Sequence, residues 1–177
     1  FFDIVLPCGG GIDIALHVLR DGGPVEQVLD LLQARTCAGL SYAPARQALT
    51  VIEPPARAGW QDGTFVIPYR PRTRIVVAGG ALEAGMLAAI AEPAGCEIIA
   101  VTRDQHVSQH AIAAHTAVVL LHHDIDAEER LLDAALSSPA FYIGALGSTR
   151  THRKRVERLS AAGWPDCQIE RIRAPIG

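Results

Sequence analysis

Arg74-Ile75-Val76-Val77-Ala78-Gly79-Gly80-Ala81-Leu82-Glu83-Ala84-Gly85-Met86-Leu87 is the stretch on which the fold turns. It opens with a short apolar run, passes through two glycines and ends rich in Ala and Leu. A short run of that kind predicts a buried strand, and the Ala/Leu-rich tail predicts a helix reaching about Ala91. The same alternation returns downstream. Glu97 to Val101, Ala117 to Leu121 and Phe141 to Ala145 read as strands, while Asp126 to Ser137 and Ser148 to Ala162 read as helices. Asp126 with Glu129 three residues on resembles a capping box, and Ser148 is a good N-cap. Strands alternating with helices at this spacing imply a parallel sheet covered on both faces.

The expected class is therefore α/β, with a Rossmann-like domain over 72–177. Upstream, Pro68-Tyr69-Arg70-Pro71-Arg72 reads as an extended linker, because proline fixes φ and drives its predecessor out of the helical region. Residues 1–70 read as a small α+β domain. Its strands are Phe2 to Leu6, Gly11 to Leu19, Ala48 to Ile52 and Thr64 to Ile67. Its helix is Pro24 to Ala34, with Val25, Val28, Leu29, Leu31 and Leu32 on a broad apolar face. The chain opens Phe1-Phe2-Asp3, has Met86 as its only methionine and closes Pro175-Ile176-Gly177, the expectation for a processed, truncated or partly resolved chain.

Composition limits the function classes. The 177 residues are 49% hydrophobic and 20% charged, with a net charge of -3. That excludes a general nucleic-acid polyelectrolyte, so any anion site must be local. No apolar run reaches the ~18 residues of a membrane span. Cys8, Cys37, Cys96 and Cys167 are scattered without a CxxC pair, which argues against a disulfide scaffold or zinc knot and fits a reducing cytoplasm. Cys37, Cys96 and Cys167 read as packing residues.

Four segments carry candidate chemistry. The turn at Gly79 and Gly80 joins a first strand to a helix, where backbone N–H groups and the helix dipole favour a pyrophosphate. Its spacing is degenerate, with Ala81 where a dinucleotide loop carries its second glycine, and a tight turn without nucleotide is the equal alternative. No acid ends the second strand, where Val101 leads into Thr102-Arg103-Asp104.

Tyr142-Ile143-Gly144-Ala145-Leu146-Gly147-Ser148-Thr149-Arg150 is the second segment. Here a strand ends in Gly-x-x-Gly-Ser and the next helix carries cations at once. Residues 150–158 hold Arg150, Arg153, Lys154, Arg155 and Arg158 against the single acid Glu157. Cations at a helix N-terminus oppose the dipole unless an anion sits among them. Arg150, Arg153 and Lys154 are expected to converge on such an anion, with Val156 and Leu159 as the buried stripe. A solvated basic face is the plainer alternative.

The third segment is Leu121-His122-His123-Asp124-Ile125-Asp126, at the carboxyl end of the third strand, beyond which ligands of open parallel sheets bind. His123 and Asp124 suit a metal, a proton relay or a heterocycle edge, and Asp126 reads as a helix cap. Adjacent strand-end residues point apart, so His122 and His123 are not expected to share a metal. The fourth is Leu6-Pro7-Cys8-Gly9-Gly10-Gly11, where a cysteine on a glycine turn is open to thiolate chemistry or to a soft metal, or is simply a small residue in a turn.

Together these segments resemble the xanthine dehydrogenase accessory protein family of the XdhC/CoxI type. The resemblance rests on PCGGGIDIALHVL (7–19), RIVVAGGALEAGML (74–87), AVVLLHHDID (117–126), FYIGALGSTRTHRKRVERLSAAG (141–163) and RIRAPIG (171–177), and spans nearly the whole chain. It implies a small N-terminal domain before a Rossmann domain, and a homodimer. It further implies a chaperone without turnover of its own that binds molybdenum cofactor (molybdopterin) and delivers it to an apo molybdenum hydroxylase of xanthine dehydrogenase type, with a sulfur donor protein as a second partner. Carried onto this chain, Cys8 matches the family's Cys-Gly-Gly and would meet the metal, His123-Asp124 its His-Asp, and Gly147-Ser148 with Arg150 its Gly-Ser-x-Arg. Gly79, Gly80, Gly144 and Arg153 complete the expected cofactor-binding set. The first turn departs from the family's Gly-Ala-Gly-His-Val-Ala, which weighs against NAD(P), and the stretch from Asp104 to His115 is short. Two other readings remain: an NAD(P)-dependent oxidoreductase with His123 as acid/base, and a protein–protein adaptor on a Rossmann scaffold.

Overall fold

The structure is a computed structural model that describes residues 9, 16, 18–102, 112–122 and 125–176, with the side chain of Ala127 left aside. It divides into two compact units, Phe1–Arg70 and Pro71–Gly177.

In the first unit, helix α1 (Gly23–Gln33) precedes strands β1 (Ala38–Ala43), β2 (Ala48–Ile52), β3 (Gly59–Gln61) and β4 (Thr64–Tyr69). The strands form an antiparallel sheet in the order β2-β1-β4-β3. Val28 of α1 packs with Ala38 and Leu40 of β1, and Leu31 and Leu32 join them, whereas Leu29 is exposed. The apolar face of α1 is thus narrower than its sequence suggests. Gly39 is required where it stands, because a Cβ there would lie 2.6 Å from the Glu53 carbonyl oxygen. Pro68 lies within β4 and not in a linker: β3 pairs only with residues 64–66, so at Pro68 the strand has β1 as its one neighbour and a missing N–H is tolerated. The connection between units shortens to residues 70–73. Of the strand expected over Gly11 to Leu19, residues 16, 18 and 19 are described and none is in a strand. The strand expected at Phe2 to Leu6 lies outside the described residues.

The second unit is a five-stranded, wholly parallel sheet in the order β6-β5-β7-β8-β9. Its elements are β5 (Arg74–Ala78), α2 (Ala81–Ala91), β6 (Glu97–Val101), β7 (Thr116–Leu120), α3 (Ile125–Leu136), β8 (Tyr142–Ala145), α4 (Thr149–Ala161), α5 (Asp166–Ile169) and β9 (Ile172–Arg173). Val76, Ala78, Val118, Leu120, Ile143 and Ala145 share one sheet face by alternation and form the core with Leu131, Leu132, Leu136 and Leu159 of α3 and α4. Val77 and Ala117 point to the other face, where a right-handed β5–β6 crossover places α2. The chain leaves β5 toward β6 on one side and then returns to β7 on the other. The switch point, where open α/β sheets bind ligands, therefore lies between the carboxyl ends of β5 and β7.

α2 is apolar nearly all round. Ala84 and Ala91 are buried, yet Leu82, Met86 and Ile90, spaced four residues apart, are 73%, 61% and 74% exposed. Among the described residues, no helix is long and apolar enough to cross a membrane.

Candidate functional site

The rim of the parallel sheet is built by one repeated device. Beyond β7, β8 and β9 the chain makes one more hydrogen bond to the neighbouring strand: Leu121 N donates to Ala78 O at 2.6 Å, Leu146 N to Leu120 O at 2.8 Å, and Ile176 N to Ala145 O at 3.2 Å. The loops after β7 and β8 and the 174–176 segment, which contains a cis Ala174–Pro175 bond, are thereby laced to their neighbours.

At the switch point the glycines serve packing. A Cβ on Gly79 would stand 2.9 Å from Leu121 Cβ, so Gly79 lets the β7 loop lie against the β5 turn. Gly80 is the N-cap of α2, and Glu83 at the third helical position folds its carboxylate back against it. A carboxylate there meets the positive end of the helix dipole that a pyrophosphate would otherwise use. The turn expected to cradle a phosphate at Gly79-Gly80 thus has the chain's own carboxylate beside it.

The β8–α4 turn is different. Gly147 has φ +127°, a conformation that side chains disfavour, and a Cβ there would crowd Thr151 at 3.1 Å. Ser148 caps α4: its Oγ accepts from Thr151 N at 3.2 Å and lies 3.1 Å from Thr151 Oγ1. His152 N bonds to Ser148 O at 2.9 Å, which leaves the N–H groups of Thr149 and Arg150 facing out of the helix end. The first turn of α4 holds no acid, in contrast to Glu83 in α2 and Asp126 and Glu128 in α3.

The basic run of α4 divides in two. Arg155 and Glu128 are each 1% exposed at the side chain and pair at 2.5 Å from Nε to Oε1, while Arg155 Nη2 donates to Leu146 O at 3.2 Å. Arg158 Nη1 pairs with Asp126 Oδ1 in the open. Asp126 is therefore an ion-pair partner inside the first turn of α3, not the cap expected of it. Arg150, Arg153 and Lys154 are exposed and hold no ion pair among the described residues. Helical spacing puts them on one face, opposite buried Leu159, so they converge with one another but look outward from the sheet. His152, on the inner side, has its pKa lowered from 6.5 by burial first and by the Arg155 charge second.

Gly144 does not reach the rim. It lies in β8 beneath the ring of Tyr142, whose Cε1 would be 2.6 Å from a Cβ at Gly144. Cys8, His123 and Asp124 lie outside the described residues. His122 is half-buried, with Nε2 shielded and without a hydrogen-bond partner. Among the described residues, no group of three His, Cys, Asp or Glu side chains is placed to hold a metal ion. Cys37 and Cys96 are half-buried, but Cys167 is exposed rather than packed. The structure thus brings Gly147, Ser148, Arg150 and Arg153 together at one turn and sets Gly79 and Gly80 apart from them, across β7. The Glu128–Arg155 pair was not anticipated. Its signal was present: Arg155 stands four residues before Leu159 and Glu128 four before Leu132, both on buried stripes.

A protein-family model described as the XdhC Rossmann domain matches residues 75–177. The chain is 40% identical over 177 residues to the molybdenum cofactor insertion chaperone PaoD of Escherichia coli (strain K12), covering 100% of this chain and 56% of that protein. A crystal structure described as a xanthine dehydrogenase from Bacillus halodurans superposes with a TM-score of 0.63 at 17% identity, over 86% of this chain and 58% of that one, a likeness of fold alone. The chain spans little more than half the length of either relative.

Proposed function

Because this chain belongs to the XdhC Rossmann domain family, we propose that it is a maturation chaperone that holds molybdenum cofactor by its phosphate end and hands it to an apo molybdenum hydroxylase of xanthine dehydrogenase type. The observation that carries this reading is the β8–α4 turn. Its donors fit a phosphate: the N–H groups of Thr149 and Arg150, the Ser148 hydroxyl already ordered by Thr151, and the cations Arg150, Arg153 and Lys154, which hold no ion pair among the described residues. The relative's chaperone role at 40% identity supports the same ligand. When bound, the cofactor supplies a molybdenum centre for the client enzyme, and this chain's work is to bind, orient and release it without turnover of its own. Cys8 near the metal and His123-Asp124 at the pterin edge belong to the same proposal, as do a sulfur donor partner, a cytoplasmic place of action and a homodimer. A second copy would cover the uncharged Leu82, Met86 and Ile90 face of α2. An NAD(P) oxidoreductase is disfavoured by Glu83, whose carboxylate would repel a pyrophosphate at Gly80.

The test is retention. Chain purified from cells that make the cofactor is assayed for molybdenum and for pterin fluorescence per chain. The expected result is bound pterin that falls at least tenfold on joint replacement of Arg150 and Arg153 by Ala, with the melting temperature unchanged. Pyridine nucleotide in place of pterin, or retention indifferent to both arginines, would refute the phosphate assignment.

A further inference from the structure

We propose that the buried Glu128–Arg155 pair is a positioning device for the β8–α4 turn and not a source of fold stability; the inference rests on the cofactor-binding reading given above. Arg155 closes a small ring. Its Nη2 holds Leu146 O, Leu146 leads through Gly147 to Ser148, and Ser148 caps the helix that carries Arg155. Leu146 is held from its other side as well, since its N–H donates to Leu120 O at 2.8 Å. Glu128 then ties the ring to α3 through Nε at 2.5 Å. The residue before the left-handed Gly147 is thus fixed at both of its polar atoms, and the direction in which Thr149 and Arg150 present their N–H groups follows from it.

The pair is poorly built as a stabiliser. Glu128 Oε2 and Arg155 Nη1 are both buried without a hydrogen-bond partner. Removing two charges from water is repaid only when the remaining lone pairs and protons are also satisfied, and apolar replacements of such pairs are often neutral or stabilising. A pair that is half satisfied, yet is linked through Leu146 to a turn that leaves free donors at the helix end, serves orientation. Arg155 reaches no ligand itself; it acts through Leu146 and Ser148.

The experiment compares the full chain with the joint Glu128→Leu, Arg155→Met replacement and with Arg155→Lys, which keeps the charge but lacks the planar fork whose separate nitrogens reach Glu128 and Leu146. Three quantities are read: melting temperature, pterin retained per chain, and amide hydrogen exchange over residues 147–152. The expected result for the double replacement is an unchanged or higher melting temperature, with pterin retention at least tenfold lower and exchange at Thr151 and His152, the hydrogen-bonded amides of the turn, at least tenfold faster. Arg155→Lys should show the same local loosening. Parent-like exchange and retention in a folded double variant would overturn the proposal. Should the double variant not fold, Arg155→Lys decides: parent-like exchange at Thr151 and His152 overturns it equally. If the parent chain carries no pterin, the cofactor reading fails, and the exchange comparison still decides whether the pair orients the turn.

Discussion

Tyr142 and Gly144 lie two residues apart on one face of β8, and the Tyr142 ring occupies the space above Gly144, with Oη 2.8 Å and Cε1 2.6 Å from where a Cβ would stand. Gly144→Ala should therefore displace the ring and destabilise the second unit by about 1–3 kcal/mol, the usual range for overpacking. The joint Tyr142→Ala, Gly144→Ala chain should recover part of that loss relative to the sum of the single changes, because the clash is then gone. Thermal melts of the four chains in the cycle check this, and strict additivity would deny the contact.

Ser148→Ala removes an N-cap and should cost about 1 kcal/mol by denaturant unfolding. Ser148→Asn or Ser148→Asp, which preserve the cap, should restore most of it. Because the same hydroxyl belongs to the proposed phosphate site, Ser148→Asp should recover stability without recovering pterin retention, its carboxylate standing where the anion would go.

Arg158→Ala is the control for the basic run. Its pair with Asp126 is exposed on both sides, 53% and 63%, and exposed pairs contribute about 0–1 kcal/mol. Both melting temperature and cofactor retention should stay close to the parent, in contrast to the Arg150 and Arg153 replacements. A loss of retention here would mean that total charge, and not the position of the cations, governs binding.

His152 gives the second unit a pH dependence of definite sign. Its folded pKa lies below 6.5, so the unfolded chain binds the proton more readily. The contribution is complete above pH 6.5 and is lost as pH falls through the folded value. The parent's melting temperature should drop more steeply from neutral pH toward about pH 5 than that of His152→Gln. Parallel curves would assign the slope to other groups.

Much of the second unit was legible because most of its strands are short apolar runs and α4 carries a start signal at Ser148. The five residues from Arg74 to Ala78 and the cap at Ser148 fall where pattern and capping put them. The first unit was harder. β1 reads AGLSYA, with small and polar residues that give no period, and it is a strand because Gly39 lets β2 approach and because two neighbours pair with it. β9 is two residues long and exists only by pairing with β8. At the site, the glycines were visible but their reasons were not. Gly79 accommodates Leu121 across the sheet, Gly144 accommodates the Tyr142 ring two residues back, and Gly147 answers first to its own backbone angle. The charge count over 150–158 likewise could not separate Arg155, whose partner is 27 residues away, from Arg150.

Glu83, bent back over Gly80, has a bearing on polarity. One end of the sheet thus presents a negative charge of the chain's own, whereas the helix two strands along has no acid in its first turn. Under the proposed function, an anionic tail is expected to settle at α4, because the Glu83 carboxylate would repel it at α2. Exchanging Glu83 for Gln should weaken that preference without abolishing it, since Arg150 and Arg153 remain.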